Sequence, residues 1–203
     1  MCISGLTLSI AIAFPSIPLL LMSASVRHWT ETSAETIWRG KYTNCDKGYF
    51  VDLPPGVVAH AVCSPSPNHG FLVSTSAPGT TDRVTSKHPS FIGVFDEYNS
   101  MKLGSARAYL DWELKNIPNP DLIDVQQIVF RELPAVEAEY RATVNGQQQQ
   151  NRVLIVFREK DDLVYEIVLC TQARDYIRDV GLYEKIKAGF QVFPIPGGEC
   201  LNP

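Results

Sequence analysis

The residues best suited to act on another molecule lie between positions 45 and 69: Cys45, His60, Cys63 and His69. Imidazole and thiolate are zinc ligands, but the spacing of these four fits no standard structural zinc site. Cys63 and His69 could serve as nucleophile and base. That chemistry needs a free, low-pKa thiolate beside the ring and a third group to orient it, and the sequence supplies no such group. Asp161 and Asp162 could be imagined as paired acids, yet they fall in a predicted charged turn, where carboxylates are solvated. The chain carries no Gly-rich phosphate loop, nucleophile elbow or His-Glu-x-x-His motif. No catalytic residue, metal or cofactor is therefore assigned. The run Ser64-Pro65-Ser66-Pro67-Asn68-His69-Gly70 holds more interest. Its prolines restrict the backbone and reduce the entropy lost on binding, so Asn68 and His69 are the candidate binding residues. The plainer alternative is a turn between two strands.

Export would set the redox state of the thiols. Nothing from Met1 to Val26 is charged, Leu6 to Met22 is mainly apolar, and Ser23-Ala24-Ser25 offers small residues for a peptidase. Residues 1–25 read as a signal peptide or amino-terminal anchor. The expected location is exported, periplasmic or extracellular, and membrane-anchored if the segment is uncleaved. Beyond it stand Cys45, Cys63, Cys170 and Cys200, an even number that suggests disulfides with three pairings open. A symmetric hairpin centred on residue 54 would set Cys45 opposite Cys63, and Cys170–Cys200 follows by elimination. Free thiols are the alternative.

The elements that would position these groups follow from the hydrophobic pattern. After a polar lead-in over 26–41, residues 48–53 and 57–62 read as two strands around Pro54-Pro55-Gly56. Residues 64–90 are mostly loop around the apolar run 71–73, and 91–95 is a strand. Ser105 caps a helix to about Asn116, with Ala106, Leu110, Leu114 and Ile117 on one stripe. Strands follow at 125–133 and 135–144, with a turn at Asn145-Gly146 and a solvated loop at Gln147–Gln150. Residues 153–157 and 164–169 form a central hairpin of a sheet covered on one side. A helix from about 173 to 190, with Gly181 as a break point and Leu182, Ile186 and Phe190 docking, precedes a tail over 194–203. The order predicts a single α+β domain over 42–193, a largely antiparallel sheet flanked by helices.

The segments Leu133-Pro134-Ala135-Val136-Glu137-Ala138-Glu139-Tyr140, Leu163 to Leu169, Ala173 to Tyr176, Leu182 to Ile186 and Gly189-Phe190 resemble the Mog1/PsbP-like superfamily. Gly48 to Pro54 is similar to its opening strand. The resemblance implies an antiparallel sheet flanked by helices and used mainly for binding.

Composition narrows the partners. The 203 residues are 45% hydrophobic and 20% charged, enough for a real core. A net charge of −4 with no basic block argues against nucleic acid. The expected partner is an unidentified protein or small ligand, with a membrane only if the amino-terminal segment is uncleaved. The leading expectation is an exported, non-catalytic binding domain. The alternatives are an enzyme with a His/Cys site near residues 60–69 and a membrane-tethered structural protein.

Overall fold

The computed structural model describes residues 36–62, 69–79, 90–144 and 146–195. Among these, eight antiparallel strands form a large sheet in the order β1-β4-β5-β6-β10-β9-β8-β7. They are β1 (Ile37–Trp38), β4 (Ala59–Ala61), β5 (Gly70–Ser74), β6 (Phe91–Tyr98), β7 (Asp121–Phe130), β8 (Leu133–Val144), β9 (Gln147–Arg158) and β10 (Leu163–Gln172). A second sheet joins β2 (Lys41–Asn44), β3 (Tyr49–Asp52) and β11 (Phe190–Val192) in the order β11-β3-β2. Helix α1 (Ala106–Leu114) connects β6 to β7, and α2 (Tyr176–Gly189) runs between β10 and β11.

Both faces of the large sheet are covered, not one as the strand pattern predicts. On one face α2 and the small sheet close a core of aromatic rings: Tyr49 stacks on Phe190 at 5.3 Å, and Tyr165 meets both edge-on at 5.3 and 5.6 Å. On the other, α1 packs over Val136, Ile155, Phe157, Val164 and Val168. β10, buried from Leu163 to Thr171, has neighbours on both faces and both edges, hence its mainly apolar run, broken only by Glu166 before Thr171.

Several expectations change. The strands at 48–53 and 57–62 do not pair with each other: β3 joins the small sheet, and β4 the large one. The link between them buries Leu53, Val57 and Val58, so it crosses between layers instead of turning back at the surface. Its amides are met by distant carbonyls, Leu53 N by Gly40 O at 2.8 Å and Val58 N by Pro78 O at 2.7 Å. The end of the polar lead-in is already built in, since Ile37–Trp38 pairs with β4. Gln147–Gln150 is strand, not loop. Val144 opposes Gln147, and main-chain pairing continues through Gln150 opposite Arg141, whatever the polarity of the side chains. The β7–β8 turn falls at Arg131-Glu132, both left-handed with φ of 50° and 65°, as a two-residue hairpin requires. Pro134 therefore lies inside β8.

α1 begins at the Ser105 cap, whose hydroxyl accepts from Ala108 N at 3.1 Å. It buries Ala106, Tyr109, Leu110 and Glu113, with Leu114 and Ile117 only partly covered. α2 passes through Gly181 unbroken, after a 3₁₀ turn at Ala173–Asp175. Its buried stripe is Tyr176, Asp179, Tyr183 and Ile186; Phe190 is buried as the first residue of β11. The close helix–strand approach explains Gly189, where a Cβ would fall 2.2 Å from Asp52 O.

Candidate functional site

The register of β5 on β6 places Gly70 opposite Phe95, so the segment entering β5 lies where β6 ends. His69 is held there. Its Nδ1 is 3.2 Å from the backbone oxygen of Asp96 and 3.5 Å from Asp96 Oδ1. The Asp96 side chain is fully buried, whereas that of His69 is 38% exposed. Asp96 Oδ2 accepts from the Tyr49 hydroxyl at 2.9 Å and from Asn44 Nδ2 at 3.0 Å, which ties the small sheet to the large one. Burial pushes the Asp96 carboxyl above its ordinary value; Tyr49, His69 and Lys47 pull the other way without overcoming it. Burial, then the Asp96 charge, raises Tyr49.

The turn between β2 and β3 completes this end. Lys47 O accepts from the Tyr165 hydroxyl at 2.6 Å, and the Lys47 ammonium lies 3.3 Å from the centroid of the Tyr98 ring. Tyr98 and the nearby Met101 are 60% and 50% exposed, on a rim closed by the Lys102–Asp162 ion pair at 2.5 Å. The arrangement offers an apolar-aromatic surface with a cation under it and a titratable ring beside it. Chemically it can recognise; an imidazole oriented by a carboxylate could also move a proton.

The residues singled out by sequence separate here. His69 joins the cluster. Asn68, Cys63 and Cys200 lie outside the described residues. His60 is buried in β4 opposite Leu72. Cys45, next to Asn44, is disulfide-bonded. Cys170 is a free thiol, which overturns the Cys170–Cys200 pairing. It sits on the central strand β10, packed with Leu72 and Phe91, and its Sγ donates to Gln149 Oε1 at 3.4 Å. Burial pushes that thiol up to about 12. Among the described residues, no group of three or more His, Cys, Asp or Glu is placed to hold a metal, and no helix is long and apolar enough to cross a membrane. Sequence reasoning missed Asp96, Lys47, Tyr98 and Met101. The available signal was Asp96-Glu97 directly following the apolar strand 91–95: a carboxylate continuing a buried strand needs donors.

An eight-stranded antiparallel sheet between α1 and a layer of α2 plus a small sheet is the α+β architecture of the Mog1/PsbP-like class, and the chain has that fold. Its similarity to LpqN, described as involved in cell envelope biogenesis of Mycobacterium tuberculosis, has a TM-score of 0.55 at 15% identity, over 78% of this chain and 92% of that one. The cyanobacterial PsbP of Synechocystis is similar at 0.49 and 14% identity over 81% and 96% of the two chains. The Ran-binding protein Mog1p of Saccharomyces cerevisiae is similar at 0.49 and 10% identity over 78% and 96%. These likenesses bear on fold alone. No protein-family model and no curated protein sequence matches the chain.

Proposed function

We propose that this chain is an exported, non-catalytic domain that binds a protein partner through the His69 end of its large sheet. The observation that carries the reading is Tyr98 and Met101 displayed in solvent, with the Tyr98 ring held over the Lys47 ammonium. Tyr and Met are enriched where interfaces bury their centres, and a ring already fixed by a cation loses little freedom on docking. His69 and the polar rim supply donors and acceptors around it. Three observations support export: the uncharged apolar segment before Arg27, the bonded state of Cys45, and a shared fold with an envelope-biogenesis protein. Cys63 is the proposed partner of Cys45. Cys45 adjoins Asn44, which bonds Asp96, and Asp96 meets His69, six positions after Cys63.

The test uses the full chain in its own cells with a photo-crosslinking residue at Met101, or at Gln126 on the remote strand β7 as control. A discrete adduct at 101 that is absent at 126 and abolished by Tyr98→Ala is the expected result. Equal labelling at both positions, or a turnover that disappears in His69→Ala, overturns the reading.

The pairing of His69 Nδ1 with Asp96 favours a second reading, an enzyme with a His-based site near residues 60–69. A thiolate mechanism there needs Cys63 free, so a Cys45–Cys63 bridge found by non-reducing peptide mapping would remove that form of it. Sequencing the mature amino terminus separates secretion from tethering, since an intact Met1 means an anchor.

A further inference from the structure

α1 lies over β8 and β9 with Ala106, Tyr109, Leu110 and Glu113 turned inward. Three of these suit a core face, and Glu113 does not. It meets Glu166 of β10, on the α1 side of the sheet, and the two residues are only 7% and 1% exposed. Neither oxygen of Glu166, nor Oε1 of Glu113, has a hydrogen-bond partner among the described residues. The Tyr109 hydroxyl gives its proton to Glu97 at 3.0 Å.

The groups that act on the pair are acidic or neutral. They are Glu97 from β6, Tyr140 from β8, and Tyr109 from α1 itself. Cys170 of β10 acts on Tyr140, and His69 acts through its charge on Glu97. Arg107, the basic residue of α1, pairs outward with Asp111. Two buried carboxylates facing each other without a cation do not both ionise. Two ionised carboxylates are also both acceptors, so the contact becomes a hydrogen bond only when one of them holds a proton.

We propose that Glu113 and Glu166 form a proton-operated latch: with a proton held between them α1 stays docked, and its loss releases α1 and uncovers Val136, Ile155, Val164 and Val168. Release breaks one O–H bond, and the proton leaves to solvent base. The helix has nine residues, short of the roughly 12–15 that hold a helix without tertiary support, so it depends on docking. Burial pushes Glu166 up to about 8, and burial followed by Glu166 raises Glu113 well above its ordinary range. Both values in the fold exceed the ordinary 4.5. Docking is therefore strongest below 4.5, weakens as pH rises through about 8, where Glu166 gives up its proton, and is lost when Glu113 gives up the last one.

Hydrogen–deuterium exchange of the full chain, corrected for intrinsic rates, tests this well below and well above pH 8. Peptides spanning α1 should lose about tenfold or more of their protection on the alkaline side while β9 and β10 keep theirs. In Glu166→Gln an amide replaces the shared proton as donor, so α1 should stay protected throughout. Protection of α1 that is flat with pH in the wild type, or that falls in the variant as it does in the wild type, overturns the latch. If the variant does not fold, carboxyl ¹³C NMR of the wild-type chain decides. A protonated Glu113 or Glu166 at neutral pH supports the latch, and two ionised carboxylates sink it.

Discussion

Replacing Arg158 by Met should cost about 3 kcal/mol, a figure that follows from what its guanidinium joins. Nη1 donates to Phe193 O and to the Tyr165 hydroxyl, each at 3.0 Å, and reaches Gly48 O at 3.5 Å. Nε pairs with Asp161 at 2.5 Å, off the line of a hydrogen bond. One side chain thus ties the end of β9 to the β2–β3 turn and to the segment after β11. Removing one partner of a buried ion pair costs about 3–5 kcal/mol. Asp161 is 21% exposed, so water reaches the orphaned carboxylate and the lower end applies. Tyr165 keeps its own bond to Lys47 O, which limits the damage further. At about 2–4 °C per kcal/mol, Tm should fall by roughly 6–12 °C. Arg158→Lys keeps the charge but loses the fork, and should lose about half as much. Urea unfolding of the full chain measures both. A loss under about 1 kcal/mol for Met, or equal losses for Lys and Met, would refute the clamp.

Tyr49→Phe should cost about 2 kcal/mol at neutral pH by taking a donor from the buried Asp96 carboxylate. The Asp96 value is raised, so the loss should shrink as acid neutralises that group; a pH series of urea midpoints checks it. Lys187→Met should cost about 1 kcal/mol near neutrality, because Lys187 Nζ holds Glu137 at 2.9 Å and Glu184 at 2.8 Å. Burial works to raise Glu137, but Lys187 and Arg152 outweigh it and keep it below 4.5, so the variant and wild type should converge in acid. Cys170 should resist iodoacetamide in the folded chain and react once unfolded, read by mass spectrometry; ready labelling of the native thiol would refute its burial.

Local periodicity carried the fold class and the central hairpin, because β9 and β10 announce themselves by runs of mainly β-branched, aromatic and leucine residues opposite each other in register. It could not carry pairing across layers. Residues 48–53 and 57–62 look like two arms of a hairpin, and only the burial of Leu53, Val57 and Val58 makes their link a crossing between sheets. The glutamines at 147–150 were illegible for a related reason. Their strand is set by the register of β8, not by their own polarity. The site was half legible: the proline-rich sequence before His69 singles that residue out, but its partner Asp96 comes from a strand 27 residues away.

The two helices are attached by opposite chemistry, and that difference bears on how the domain responds to its surroundings. α2 is stitched at its margin by ionised groups, with Glu137 taking charge-assisted bonds from Lys187 and Arg152 at 2.9 Å each. Its attachment is present above pH 4.5 and weakens as acid protonates Glu137. α1 rests on a carboxyl pair that must keep a proton, and its attachment weakens as base removes it. Glu113 falls one turn after Tyr109 and Leu110 on the face that α1 buries, although the apolar stripe Ala106, Leu110, Leu114 and Ile117 leaves it out. Its residue type argued for solvent. When the two signals conflict on a docked helix, position prevails and chemistry adjusts: the carboxyl goes in, and goes in neutral.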